Sequence, residues 1–135
     1  MSKMSDYLEV ELRKHIFRTG SFTKPSALYV SLHTADPQDN GAGAEATYGS
    51  YARIQRDPSD ANWTAASATD GVTDNAAVIT FPTCTSGSEL VTHFAVWDAV
   101  SGGNMICHGQ LTNPQTISTG VTPSFAVGAL DVTFA

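Results

Sequence analysis

The chain reads as mainly β: a compact β-sandwich or barrel-like roll of seven to eight strands with one N-terminal amphipathic helix. Three observations carry that reading. Short apolar runs alternate with polar residues along most of the 135 residues. Gly, Pro and Ser-Gly turn signals recur between them. A four-residue apolar repeat, the mark of a helix, occurs near the start only.

The helix spans residues 5–18. Leu8, Leu12 and Ile16 form its apolar stripe. Asp6 followed by Glu9 fits a capping-box start, Lys14, His15 and Arg18 suit the C-terminal end of the dipole, and Gly20 is a stop signal. Such a helix lies over one end or edge of a sheet, or serves as a docking arm for a neighbouring subunit.

A strand follows at residues 27–33, with Leu28, Val30 and Leu32 on one face and Tyr29, Ser31 and His33 on the other. Residues 34–50 form a long Gly, Ala, Asp and Asn-rich loop with turn signals at Asp36-Pro37 and Asn40-Gly41. It is expected on the surface, open to contact with a neighbouring copy. Further strands are expected at 51–56 and 76–81, separated by a second loop at 57–75 that Trp63 tucks onto the body. The rest of the β body, 27–135 in all, consists of strands at 91–98, 104–111, 115–118, 124–127 and a last one through Leu130, Val132 and Phe134. At this length the chain is expected to be one domain, 1–135.

The segment from Val91 to Leu111 is the centre of the pattern. It is apolar on both faces: Thr92, Phe94, Val96 and Asp98 alternate with Val91, His93, Ala95 and Trp97. A strand with bulky residues on both sides belongs inside a fold rather than at a wet edge. His93 and Trp97 share a face. Two registers fit the hairpin that follows. A two-residue Gly102-Gly103 turn sets Trp97 opposite His108 and Phe94 opposite Leu111, whereas a three-residue loop sets Trp97 opposite Gly109. Burial of the Trp97 ring implies that Trp97→Ala costs roughly 3 kcal/mol or more.

Composition narrows the function. The net charge of −6 and the absence of Lys or Arg beyond Arg56 oppose a nucleic-acid surface. No apolar run approaches the roughly 20 residues of a membrane span. The N-terminus has no apolar export signal. Cys84 and Cys107 sit in or beside strands and read as buried free thiols.

Chemistry is sparse. There is no nucleophile elbow, no Cys/His ligand spacing and no phosphate cradle. Asp36, Asp39 and Glu45 match no calcium-loop spacing. No cofactor and no metal is expected, and the chain reads as no enzyme. The remaining catalytic alternative is a small hydrolase using His93 or His108 with Asp98. The residues singled out are instead core or interface candidates: Trp97, Phe94, His93, Tyr51, Arg53 and Trp63.

Taken in order, the pieces SDYLEVELRKHIFR, ALYVSLHTADP, GSYAR with Tyr51 and Arg53, AAVITFPT, VTHFAVWDAVSGGNMICHGQL and GALDVTF cover nearly the whole chain. Their succession resembles a family of small tailed-bacteriophage virion proteins, labelled tail-fibre, minor structural or head-decoration proteins. The stretch between Arg56 and Asn75 is the least similar part. The resemblance implies a non-enzymatic structural protein on the exterior of the particle. Its partners would be the major capsid protein or other virion proteins and further copies of itself, with a trimer as the implied oligomer. The first expectation is a capsid decoration or cement protein that stabilises capsomer contacts. The alternative is a tail-associated or receptor-binding module whose Trp63, Tyr48 and Tyr51 stack on surface sugars.

Overall fold

The computed structural model describes residues 2–66 and 69–134. A five-stranded antiparallel sheet carries the fold, in the order β1-β7-β6-β2-β3. Its strands are β1 (Ser2–Met4), β2 (Tyr29–His33), β3 (Ile54–Gln55), β6 (Ser88–Trp97) and β7 (Met105–Ser118). Two short ladders, β4 (Thr73–Asp74) with β9 (Asp131–Val132) and β5 (Ile79–Thr80) with β8 (Ser124–Phe125), form separate two-stranded sheets. Their residues Ile79, Phe125 and Val132 pack in the cluster with the sheet's Val30, Leu32, Phe94, Val96 and Cys107. The five-stranded sheet does not close into a barrel. The chain is thus mainly β with one helix, α1 (Asp6–Phe17).

Several elements differ from the sequence reading. Ser5, not Asp6, caps the helix: its hydroxyl accepts from the Leu8 backbone N–H and donates to the Met105 carbonyl. Its own N–H donates to Ile106 at 3.0 Å. This ties the first turn of α1 to β7 and buries Leu8. The expected stripe stops there, since Leu12 is half-buried and Ile16 is 66% exposed. The helix therefore docks by one turn, and its C-terminal end stays exposed. Strand β1 escaped the sequence reading because three residues show no period. Ser2 is fully buried and its hydroxyl donates to the Thr133 carbonyl at 2.7 Å.

The central hairpin takes neither expected register. Trp97 pairs with Met105, Val96 with Cys107 and Phe94 with Gly109. The connection is longer than a tight turn because Asp98 accepts from both the backbone and the side chain of Asn104, at 2.7 and 2.9 Å. A bulge then absorbs Ile106 opposite the Val96–Trp97 step. A second irregularity, between Val91 and His93, skips Thr92 on one strand and residues 111–114 on the other. Pro114 lies in that excursion, where the ladder can do without its missing donor. A one-residue slip changes faces, so Val91 joins Phe94 and Val96 in the main core instead of facing away from them. The expected strands 104–111 and 115–118 are accordingly one irregular strand.

The long connection 57–75 contains β4 and ends in Asn75, a fully buried polar residue. Its side-chain amide donates to Ala77 and Ala126, and its carbonyl oxygen accepts from Leu130. One side chain thus satisfies three backbone groups that the short ladders leave unpaired. Cys84 and Cys107 are both free and buried.

Candidate functional site

The face of the five-stranded sheet turned away from the main core carries Tyr29, Ser31 and His33 from β2 with His93, Ala95 and Trp97 from β6. Phe94 points the other way, into the main core, where its ring lies against Gly109. Ser31, His33, Ala95 and Trp97 are buried, so something must cover them.

The cover is the 34–50 connection, which the sequence reading left on the surface. Asx turns at Asp36 and Asn40 fold it back, with Gln38 and Ala42 N–H groups donating to their carboxylate and amide oxygens. Pro37 becomes fully buried. Gly41, at φ +70°, passes so close to Trp97 that a Cβ there would sit 2.9 Å from the indole. Asp39 and Asp36 reach the buried His108 ring from its two nitrogens, at 2.8 and 3.2 Å. When protonated, the ring donates to both. The chain then runs along the β3 side of β2, beyond the two residues that β3 itself pairs, bonding Ala44 to Thr34 and Ala46 to Leu32. It finally delivers Ala46 and Tyr48 to the opposite side, the main core.

Under this cover lies a continuous polar network. The Trp97 indole N–H donates to the Ser31 hydroxyl at 2.8 Å. The hydroxyl lies 2.8 Å from His33 Nε2, and His33 Nδ1 lies 2.9 Å from the Gly43 carbonyl. The chain closes if neutral His33 carries its proton on Nδ1 and accepts from Ser31. Burial, outweighing the Gly43 hydrogen bond that favours the cation, lowers the His33 pKa below its ordinary value, consistent with a neutral ring.

Arg53 seals the edge. Its guanidinium stands 4.1 Å over the Trp97 ring. It donates to both oxygens of Glu45 at 2.8 Å and to the carbonyls of Ala99 and Gly102 at 2.9 Å. Tyr51 donates to Glu45 and accepts from the Leu32 N–H. Burial works to raise the Glu45 carboxyl, and the hydrogen bonds from Arg53 and Tyr51 outweigh it, leaving it below the usual range.

The structure therefore brings Trp97, Arg53 and Tyr51 to one place, with His93 beside them, half-buried and paired across strands with His33. It sets Phe94 in the core and Trp63 elsewhere. Glu45, Ser31 and His33 complete the cluster and were missed: Ser31 meets Trp97 66 residues away, and Glu45 and His33 meet their partners only once the 34–50 connection folds back. The hydrolase arrangement does not assemble. Asp98 spends its carboxylate on Asn104, while His108 faces Asp36 and Asp39. The aromatic platform for sugars does not assemble either. Tyr48 is 4% exposed, with its hydroxyl on the Pro82 carbonyl, and Tyr51 packs edge-on against it. Among the described residues no cluster of three His, Cys, Asp or Glu side chains is placed to hold a metal ion. No described helix is long and apolar enough to cross a membrane.

Trp63 instead lines an open groove of about 490 Å³. Its indole N–H donates to the Arg56 carbonyl, which fixes the ring at the wall. Leu28, Val96, Ile106, Val132 and Phe134 supply the other apolar walls, with Lys24, Asp60 and Thr64 among the polar lining.

This architecture offers a sheet whose centre is buried on both faces, an apolar groove and an exposed helix end. A comparison with curated proteins gives no match. A family model described as Podophage GP4 fiber I protein gp80 matches residues 3–133. That match spans nearly the whole chain, and the chain belongs to this family of tailed-phage virion structural proteins.

Proposed function

We propose that the chain is a non-enzymatic structural subunit of the fibre apparatus of a tailed phage, exposed on the particle exterior and held there by contacts with other virion proteins and with further copies of itself. The observation that carries this reading is the match of the fibre family over residues 3–133. The architecture agrees with it. The His, Trp and Arg residues that could have served chemistry are consumed in holding the 34–50 connection onto the sheet.

This reading favours the tail-associated alternative over the capsid decoration protein first expected, since the family is described by a fibre and not by the head. The role it assigns is assembly, without the aromatic sugar platform. Antibody labelling of purified particles tests it. Gold at the fibres or tail supports the proposal, and gold spread evenly over the head would replace it with the decoration reading.

A further inference from the structure

The ladder breaks between β6 and β7, the two longest strands of the sheet. Between the His93–Gln110 and Val91–Gln115 pairs, β6 carries Thr92 alone and β7 carries residues 111–114. These residues leave the ladder, and Pro114 has no N–H with which to rejoin it. Half-buried Leu111 packs on the main core, while Thr112 and Asn113 stand exposed. Bulges of this kind re-aim side chains or end pairing, and they recur beside working sites.

The excursion opens a pocket of about 450 Å³, within the roughly 300–1,000 Å³ of small-molecule sites. It is separate from the groove beside Trp63, and none of Trp63, Tyr48 and Tyr51 lines it. Phe94, Leu111 and Phe125 of the main core form its apolar wall. Gln110, Thr112, Asn113, Gln115 and Ser124 stand exposed around it. None of these five side chains hydrogen-bonds to a described residue. Amides and hydroxyls each offer a donor and an acceptor. A sugar hydroxyl is likewise both, and the C–H face of a sugar ring packs on an aromatic or aliphatic wall.

The lining also speaks against other ligands. Among the described lining residues Asp131 alone is charged, and it already meets Asp74 across the β4–β9 pair. No Lys or Arg is there to hold a phosphate, sulfate or carboxylate. An added peptide strand needs a regular edge, and residues 111–114 present a break and a proline instead.

We infer that the pocket opened by residues 111–114 is a binding site for an uncharged saccharide. The apolar face of the sugar ring lies on Leu111 and Phe125, and Gln110, Asn113 and Gln115 take its hydroxyls. Such a site adds a ligand to the assembly role, and it serves equally on a fibre or on the head.

Saturation-transfer NMR on the full chain tests this. The probes are methyl glucoside, methyl galactoside, methyl mannoside and N-acetylglucosamine, with N-acetylneuraminic acid as the anionic comparison. At least one neutral probe should take up saturation, and the anionic one should not. Asn113→Ala and Gln115→Ala should each weaken that binding about 3- to 10-fold, the range for one lost hydrogen bond. Thr112→Trp fills the pocket from an exposed position outside the ladder and should abolish binding. Ala66→Trp, in the groove beside Trp63, should leave it unchanged. Circular dichroism checks the fold of each variant, and the two alanine variants carry the test if Thr112→Trp fails to fold. Silence from all four neutral probes would overturn the inference. So would binding that is unchanged in the folded pocket variants, binding lost in Ala66→Trp, or equal binding of the anionic sugar. Tighter binding of an uncharged peptide of alternating Thr and Val would replace the saccharide with a strand.

Discussion

The guanidinium of Arg53 stands over Trp97 with its central carbon 4.1 Å from the ring centroid, and the same group grips both oxygens of Glu45. One side chain thus joins the central strand, the folded-back connection and the 98–104 turn. Cation–π contacts of this kind contribute about 0.5–2 kcal/mol. The larger consequence is positional, since releasing Arg53 frees the cover from the sheet.

Trp97→Ala should destabilise the chain by about 3–5 kcal/mol. The ring is 7% exposed and fills the space between Gly41, Met105 and Arg53. Ser31→Ala removes the acceptor of the indole N–H and should cost about 1–3 kcal/mol without changing side-chain volume much. Urea unfolding measures both. A Trp97→Ala chain within 1 kcal/mol of wild type would show that the second face is not sealed.

Arg53→Ala should cost about 3 kcal/mol, because it leaves the half-buried Glu45 carboxylate without the cation that compensates it. Arg53→Lys should recover less than half of that. An ammonium cannot span Glu45 and two carbonyls in one plane. Thermal unfolding of the two variants side by side checks the order.

Stability should fall on acidification in two steps. His33 is held below its ordinary value of 6.5 by burial, so below that pH the unfolded chain takes up a proton that the folded chain resists. Its contribution is present above about 6.5 and is lost as pH falls. Burial lowers His93 as well and adds to this step. Glu45 lies below 4.5 in the fold, so below that pH the unfolded chain again protonates first and stability drops further. Melting temperature followed from pH 8 to about pH 3 should decline in that sense, and His33→Gln should flatten the upper step.

Gly109→Ala should cost about 1–3 kcal/mol by overpacking. A Cβ there would stand 2.8 Å from the Phe94 ring and 3.1 Å from the Ser2 backbone, neither of which has room to yield. Gly120→Ala offers the contrast. Its φ of +91° makes it strained, but nothing lies within 4 Å, so about 1 kcal/mol is expected. Chemical denaturation of both variants measures the difference.

Both thiols should be silent to a disulfide-exchange reagent at pH 8 in the native chain and react fully in denaturant. Cys107 is completely buried, and burial pushes its pKa up to about 12, which suppresses the thiolate. Cys84 is 1% exposed. Spectrophotometric titration should count two thiols on unfolding and none before it.

Much of the sheet was legible because alternation is local. Trp97 and His93 share a face, Val30 and Leu32 share the other, and each follows from reading every second residue. The face assignment failed at Val91, where a bulge at Thr92 shifts the count by one. The 34–50 connection is an exposed loop, as its turn residues predict, but its role as a cover over the sheet was not legible. Gly, Asp and Asn mark turns wherever they occur, and whether the turned chain lies in solvent or on a sheet depends on Glu45 meeting Arg53 and on Asp39 meeting His108, 69 residues away. Gly41 reads in the sequence as a turn signal, and the fold adds that its lack of a side chain lets the backbone lie on Trp97. The exposed helix tip was half visible: the stripe of Leu8, Leu12 and Ile16 is in the sequence, but only the fold shows that packing ends after Leu8.

An electron cryomicroscopy reconstruction of the intact phage tests the central claim most directly. A structural fibre subunit predicts density for the five-stranded sheet and its projecting helix at the tail, in several contacting copies. The same density set into the capsid lattice, and absent from the tail, would contradict it.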